Sequence, residues 1–108
     1  MKTFKDLIFK KHYLAIEGID IMQHAKEAVL KFDNKWAISV CCGSVSFCPG
    51  VMIDHSERGD DPFAYYPEYD RYFEGMIISP DGHYEVFRGQ EEDVEDWLRA
   101  IQEGHFPD

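Results

Sequence analysis

Long apolar runs are missing from this 108-residue chain: none approaches the ~18 residues that a membrane-spanning helix requires. Cys41, Cys42 and Cys48 are odd in number and crowded together, a pattern that fits no disulfide framework. The opening MKTFKDLIFKKHYLAIEG scatters charge through any would-be signal core, so no secretion signal is readable and a cytoplasmic chain with reduced thiols is expected. Internal repeats and low-complexity tracts are also lacking.

Positive charge runs out after the first third. Residues 1–35 carry seven Lys against five Asp or Glu, whereas residues 36–108 carry four Arg against sixteen acids, and the formal net charge is -10. Such a surface repels phosphate backbones and anionic membranes and draws basic partners or cations from a distance. Direct binding to nucleic acid or to a membrane is therefore not expected. Hydrophobic residues at 44% and aromatics at 15% are enough to build a packed interior, so the charge belongs to the surface of a folded domain rather than to a disordered chain.

Specific catalytic and metal-binding signatures are lacking as well. Asp54, Glu57, Asp60 and Asp61 offer oxygen ligands close together, but without the alternating acids, central glycine and terminal glutamate of a calcium loop. Cys41, Cys42, Cys48 and His55 are the right donor types for zinc, yet neighbouring cysteines on a strand point to opposite faces, and buried free thiols explain them better. His12, His24, His55, His83 and His105 are scattered, with no pair at the spacing of a zinc protease. The glycines of GSVSFCPG are not followed by the Lys-Ser or Lys-Thr of a phosphate-binding loop. No metal, no cofactor and no catalytic residue is assigned, and a non-enzymatic role is expected.

What is present is the pattern of one α+β domain covering residues 1–108, for a chain of this length leaves no room for two ordinary cores. From Gln90 to Glu103, Val94, Trp97, Leu98 and Ile101 recur at the spacing of one helix face, Glu91, Glu92 and Asp93 crowd the first turn, and Gly104 follows as a left-handed cap. Tyr72 to Ser79 and His83 to Arg88 flank Ser79-Pro80-Asp81-Gly82, the composition of a hairpin turn. Glu27 to Phe32 and Trp36 to Cys42 flank Asp33-Asn34-Lys35, where Asn and Asp tolerate the positive φ of a tight reversal. The expected fold is a small antiparallel sheet of two hairpins with the C-terminal amphipathic helix on one face. That face is the one carrying Trp36, Ile38, Val40 and Cys42. Residues 16–26 read equally as a short helix or an extended run, and short strands are conceivable around Ser44 to Phe47 or Val51 to Ile53.

Residues 43–71 form a long acidic, aromatic-rich connection, and long connections in small domains are often functional. Asp54, Glu57, Asp60, Asp61, Glu68 and Asp70 are interleaved there with Phe63, Tyr65, Tyr66, Tyr69 and Tyr72. Read as a contact surface, carboxylates steer and pair with Lys or Arg on a partner while the rings supply rigid anchors. Read structurally, the same residues are a solvated loop whose aromatics fold back as a satellite core. Glu92, Glu95, Asp96 and Glu103 on the outer side of the last helix would extend the acidic surface.

FKDLIFKKH, then KFDNKWAISVCCGS, then a hairpin and EDVEDWLRAIQEG resembles a group of small phage- or prophage-encoded accessory proteins, mostly without established activity. The matching positions are Phe4, Asp6, Leu7, Phe9, His12, Phe32, Asn34, Ser39, Val40 and Gly43. Lys35 departs from the glycine such hairpins favour, and the 43–71 segment is longer here. The resemblance implies a mobile-element protein in the cytoplasm of a host bacterium and an inhibitor of host defence, anti-CRISPR-like or a nucleic-acid mimic. It supplies no site residues. The leading expectation is thus an acidic protein-interaction module that docks on a basic protein such as a nuclease or a CRISPR effector. The alternatives are a toxin-immunity protein, a small-molecule binder or minor enzyme using Cys48, His55 and His83, and a homodimer that buries its own aromatic loop.

Overall fold

Alternation of large and small side chains in the middle of the chain sets the architecture. In the computed structural model, which describes residues 1–12, 18, 23–43, 54–61 and 63–105, the strands are β1 (Lys10–Lys11), β2 (Lys26–Lys31), β3 (Ala37–Cys42), β4 (Phe73–Ile78) and β5 (Tyr84–Gly89). They form one five-stranded antiparallel sheet in the order β1-β2-β3-β4-β5. The helix α1 (Glu91–Gln102) follows. The α+β expectation holds, with one refinement: the two hairpins are fused through β3 and β4, where Ile38 pairs with Ile77 and Val40 with Gly75, and β1 adds an edge.

The helix covers one face of this sheet. Ile38, Val40 and Cys42 of β3 are buried there with Ala28, Phe73 and Ile77 against Val94, Leu98 and Ile101 of α1. Trp36 and Trp97 pack at the margin of this cluster. Gly75 lets the helix come close, since a Cβ at that position would lie 2.8 Å from the Trp97 ring. The N-terminal segment closes the layer: Leu7 is buried, and Phe4 and Phe9 set their rings 5.3 and 5.9 Å from Phe73. Polar contacts strap that segment to α1, with the Phe4 amide donating to Glu95 Oε1 at 2.9 Å and the Gln102 side-chain amide donating to the Lys2 carbonyl at 2.8 Å.

The other face is covered only in part by the described residues. Its central rows run Glu27, Cys41, Glu74, Arg88 and Val29, Ser39, Met76, Val86 across β2 to β5. Val29, Met76 and Val86 are exposed, as is Tyr84 in the next row.

Antiparallel order places the connections at two ends. At the turn end, Ser79 and His83 close the β4–β5 hairpin with an amide-to-carbonyl bond of 2.8 Å, and Gly82 takes φ 91. In the β2–β3 hairpin the positive φ falls on Lys35, at 70, rather than on Asn34. Asn34 is otherwise engaged: its Oδ1 accepts from the Trp36 amide at 3.1 Å and its Nδ2 donates to the Ile101 carbonyl at 3.0 Å, tying the hairpin to the end of α1. At the opposite, loop end lie the connection between β1 and β2, the 43–72 connection and the start of α1. The helix-or-strand question over 16–26 and the strand candidates near Ser44 to Phe47 and Val51 to Ile53 fall largely or wholly outside the described residues.

Candidate functional site

The loop end holds a column of rings. Residues 54–57 are helical, and a 3-10 helix over Pro67–Arg71 begins with proline, whose fixed φ suits a first helical position. That helix turns Tyr69 inward, 1% exposed. Tyr65 and Tyr66 meet its ring edge-on at 6.1 and 5.7 Å. Outside them, His24 stacks flat on Tyr65 and His55 stacks flat on Tyr66, each with ring centres 3.7 Å apart. Gly43 admits this arrangement, because at φ 76 its backbone runs so close to His24 that a Cβ would sit 2.2 Å from the His24 carbonyl oxygen.

His55 is 6% exposed, and its polar atoms are answered. Its Nε2 lies 3.2 Å from Glu68 Oε1, and its Nδ1 lies 2.8 Å from Asp60 Oδ2. Arg58 Nη2 is 2.9 Å from the same Nδ1, so that nitrogen either donates to Asp60 or accepts from Arg58, while Nε2 donates to Glu68 in both arrangements. Partial desolvation opposes ionisation of Glu68, but its own backbone amide, His55 and Arg58 outweigh this and hold its carboxyl below the usual range. Burial, with the negative charges of Asp60 and Asp61 behind it, pushes the Tyr66 phenol up. Asp70 accepts a short hydrogen bond from the Tyr65 hydroxyl, and its other oxygen, Oδ1, lies 3.9 Å from Lys26 Nζ.

Several expectations change with this geometry. Tyr69 is a core residue and cannot touch a partner; Tyr65 and Tyr66 are half-buried, each covered by a histidine. The aromatic part of the predicted contact surface is thereby largely the satellite core, and Phe63, 65% exposed, is the ring that projects. Asp60, Glu68 and Asp70 serve internal contacts, and Asp54 pairs with Arg58 at 3.3 Å. Glu57 and Asp61 stay exposed, Asp61 holding the Phe63 amide at 2.9 Å. Glu91 and Glu92 line a shallow depression of about 310 Å³ together with Asp70, Arg71, Phe73 and Gln90, which brings the head of α1 against the loop. On the outer side of α1, Glu95 is occupied by the Phe4 amide and Asp96 by Arg99 at 3.3 Å.

His55 and His83, two members of the catalytic alternative, are not brought together. His83, 86% exposed, pairs with Asp81 in the turn-end hairpin, a six-residue strand or about 20 Å away from the end that holds His55. Cys48 lies outside the described residues. Cys41 and Cys42 are the reverse of activated thiols: burial and the charges of Glu27 and Glu74 push Cys41 up to about 11, and burial and Asp70 push Cys42 up to about 12. No group of three His, Cys, Asp or Glu able to hold a metal occurs among the described residues.

Two participants escaped the reading of the sequence. His24 had no local signal, since its partner is forty-one positions away. Arg58 had one, its i+4 spacing from Asp54. Several conspicuous residues of the N-terminal half are structural: Phe4, Leu7 and Phe9 seat the N-terminal strap, Asn34 ties the hairpin, and Gly43 admits His24. No protein-family model matches the chain, and neither the curated proteins nor the solved structures contain a significant match to it. No helix among the described residues is long and apolar enough to cross a membrane.

Proposed function

We propose that this chain is a non-enzymatic interaction module that docks on a basic, nucleic-acid-binding protein through the acidic loop end of its sheet. The observation that carries the reading is the exposed acidic and aromatic display on a packed layer there. Phe63, Glu57 and Asp61 stand outside a layer whose remaining carboxylates are locked onto His55, Arg58 and Tyr65. With the layer beneath them already packed, less of the loop has to be ordered on binding. The carboxylates would occupy the positions of nucleic-acid phosphates on the partner, and the Phe63 ring would fill an apolar pocket beside them. A net charge of -10 makes such association fast and salt-sensitive. Together with the resemblance to phage-encoded accessory proteins, this favours an inhibitor of a host nuclease or CRISPR effector, acting in the bacterial cytoplasm. An immunity protein for one cognate nuclease would use the same surface.

Affinity capture from bacterial lysate at about 50 and about 500 mM salt tests this, with a Glu57→Lys, Asp61→Lys, Phe63→Ala variant alongside. The expected result is a basic nucleic-acid-binding protein retained at low salt only, lost in the variant, and blocked from its nucleic acid when both are purified. Retention of the same proteins by the variant, or of none by the wild type, would defeat the proposal.

A further inference from the structure

The two edges of the sheet differ in a way that the acidic surface does not explain. β1 is two residues long, both lysine, the kind of short charged edge that discourages pairing with another chain. β5 is the opposite edge: six residues, Tyr84 to Gly89, with no lysine and no proline, Tyr84 62% and Val86 42% exposed, and no further strand beyond it among the described residues.

Hydrogen-bond phase identifies what this edge presents. The Ser79–His83 bond fixes the alternation of the hairpin, so Glu85, Phe87 and Gly89 exchange bonds with Ile77, Gly75 and Phe73. The amides and carbonyls of Tyr84, Val86 and Arg88 then point outward, without a partner among the described residues. We infer that this edge is a self-association site, where a second copy of the chain adds its own β5 antiparallel about a two-fold axis through Val86.

Charge selects that register. A pairing centred on Glu85 sets Glu85 against the partner's Glu85, and one centred on Arg88 sets two guanidinium groups together; like charges directly opposite are destabilising. A pairing centred on Phe87 draws on the Gln90 amide, which is already given to Asp93 Oδ2 at 2.8 Å. Centred on Val86, each outward residue meets an outward residue. Arg88 then lies over the partner's Tyr84 on the face away from α1, a favourable cation–ring contact. Val86 meets its own copy, and Met76 beside it continues the apolar strip into both protomers.

The inference is independent of the acidic docking surface and has the opposite salt signature. Two chains of net charge -10 repel, so screening strengthens their pairing, whereas it weakens capture of a basic partner. Sedimentation equilibrium of the full chain decides. The expected result is a mass of two chains at protomer concentrations on the order of 100 μM, with a larger dimer fraction at about 500 mM than at about 50 mM salt. Val86→Lys and Val86→Pro should each raise the dissociation constant tenfold or more; the proline removes only an outward N–H, leaving the ladder to β4 intact. A chain that stays monomeric up to roughly 1 mM overturns the inference, as does a dimer that both variants form with unchanged affinity.

Discussion

At one end of the sheet, β2 reverses into β3 between Phe32 and Trp36, and β4 into β5 between Ser79 and His83; at the other, 43–72 stands between two strands that are also neighbours. The polar contacts of the two turns themselves join groups within five residues of one another, and Asn34 adds a tie to the end of α1. The loop end is held by side chains from three separated segments, with His24 on Tyr65, Lys26 near Asp70 and the head of α1 beside Arg71. Local chemistry makes an end compact. Long-range stacking makes an end that displays charge without collapsing, and that is the ground for proposing a docking surface there.

The deepest cut into this contrast is Tyr69→Ala. Its ring is the contact common to Tyr65, Tyr66 and His55, so truncation should cost about 3–5 kcal/mol and lower the melting temperature by tens of degrees, read by thermal circular dichroism. Hydrogen exchange should show protection lost at 54–72 before the turns.

Alkali acts on the loop end and spares the turn end. Cys42, at the loop end of β3, is raised from 9.0 to about 12, so the neutral thiol is favoured in the fold. Its contribution is complete below pH 9 and is lost as pH rises from there through about 12, roughly 2 kcal/mol by pH ~10.5. Asp81, at the turn end, is lowered from 3.8 to about 2 by hydrogen bonds from Ser79 and His83. Its contribution is present above 3.8 and disappears as pH falls through about 2. Acid reaches the loop end as well, through the lowered Glu68 carboxyl, so it is alkali that separates the ends: amide exchange should quicken around Cys42 while the turn at Gly82 keeps its protection, and equal loss at both ends would contradict the assignment.

How much of this was readable in advance follows the same division. The Ser79-Pro80-Asp81-Gly82 turn, the helix and its Gly104 cap depend on residues near in sequence, and all are where the spacing puts them. The β3 face did too, since Ile38, Val40 and Cys42 alternate with smaller residues. The burial of Tyr69 beneath Tyr65, Tyr66 and His55 could not be told from exposure, because an aromatic among acids looks the same whether it faces water or other rings, and the His24 that covers Tyr65 is forty-one residues off in the chain. The fusion of the hairpins was equally hidden: nothing local to β3 or β4 announces that a thirty-residue excursion returns beside its origin.

A smaller effect is expected at the turn end from Lys35→Gly. Lys35 holds φ 70, a conformation in which its Cβ crowds the backbone and glycine is at ease. Relief of that crowding exceeds the extra freedom glycine gives the unfolded chain, so the variant should gain about 0.5–1 kcal/mol. Urea unfolding with an unchanged slope would register it; a loss would mean that the Lys35 side chain contributes contacts of its own.

Smallest in stability and most telling for function is Phe63→Ala. With 65% of its surface in water, the ring contributes little to the fold, and its removal should leave unfolding within about 0.5 kcal/mol of wild type. If the loop end exists to display groups rather than to complete the core, the same change should weaken capture of a basic partner tenfold or more, the scale of one buried aromatic anchor. The reverse pattern, a clear loss of stability with binding untouched, would return Phe63 to the satellite core and leave the carboxylates without their apolar anchor.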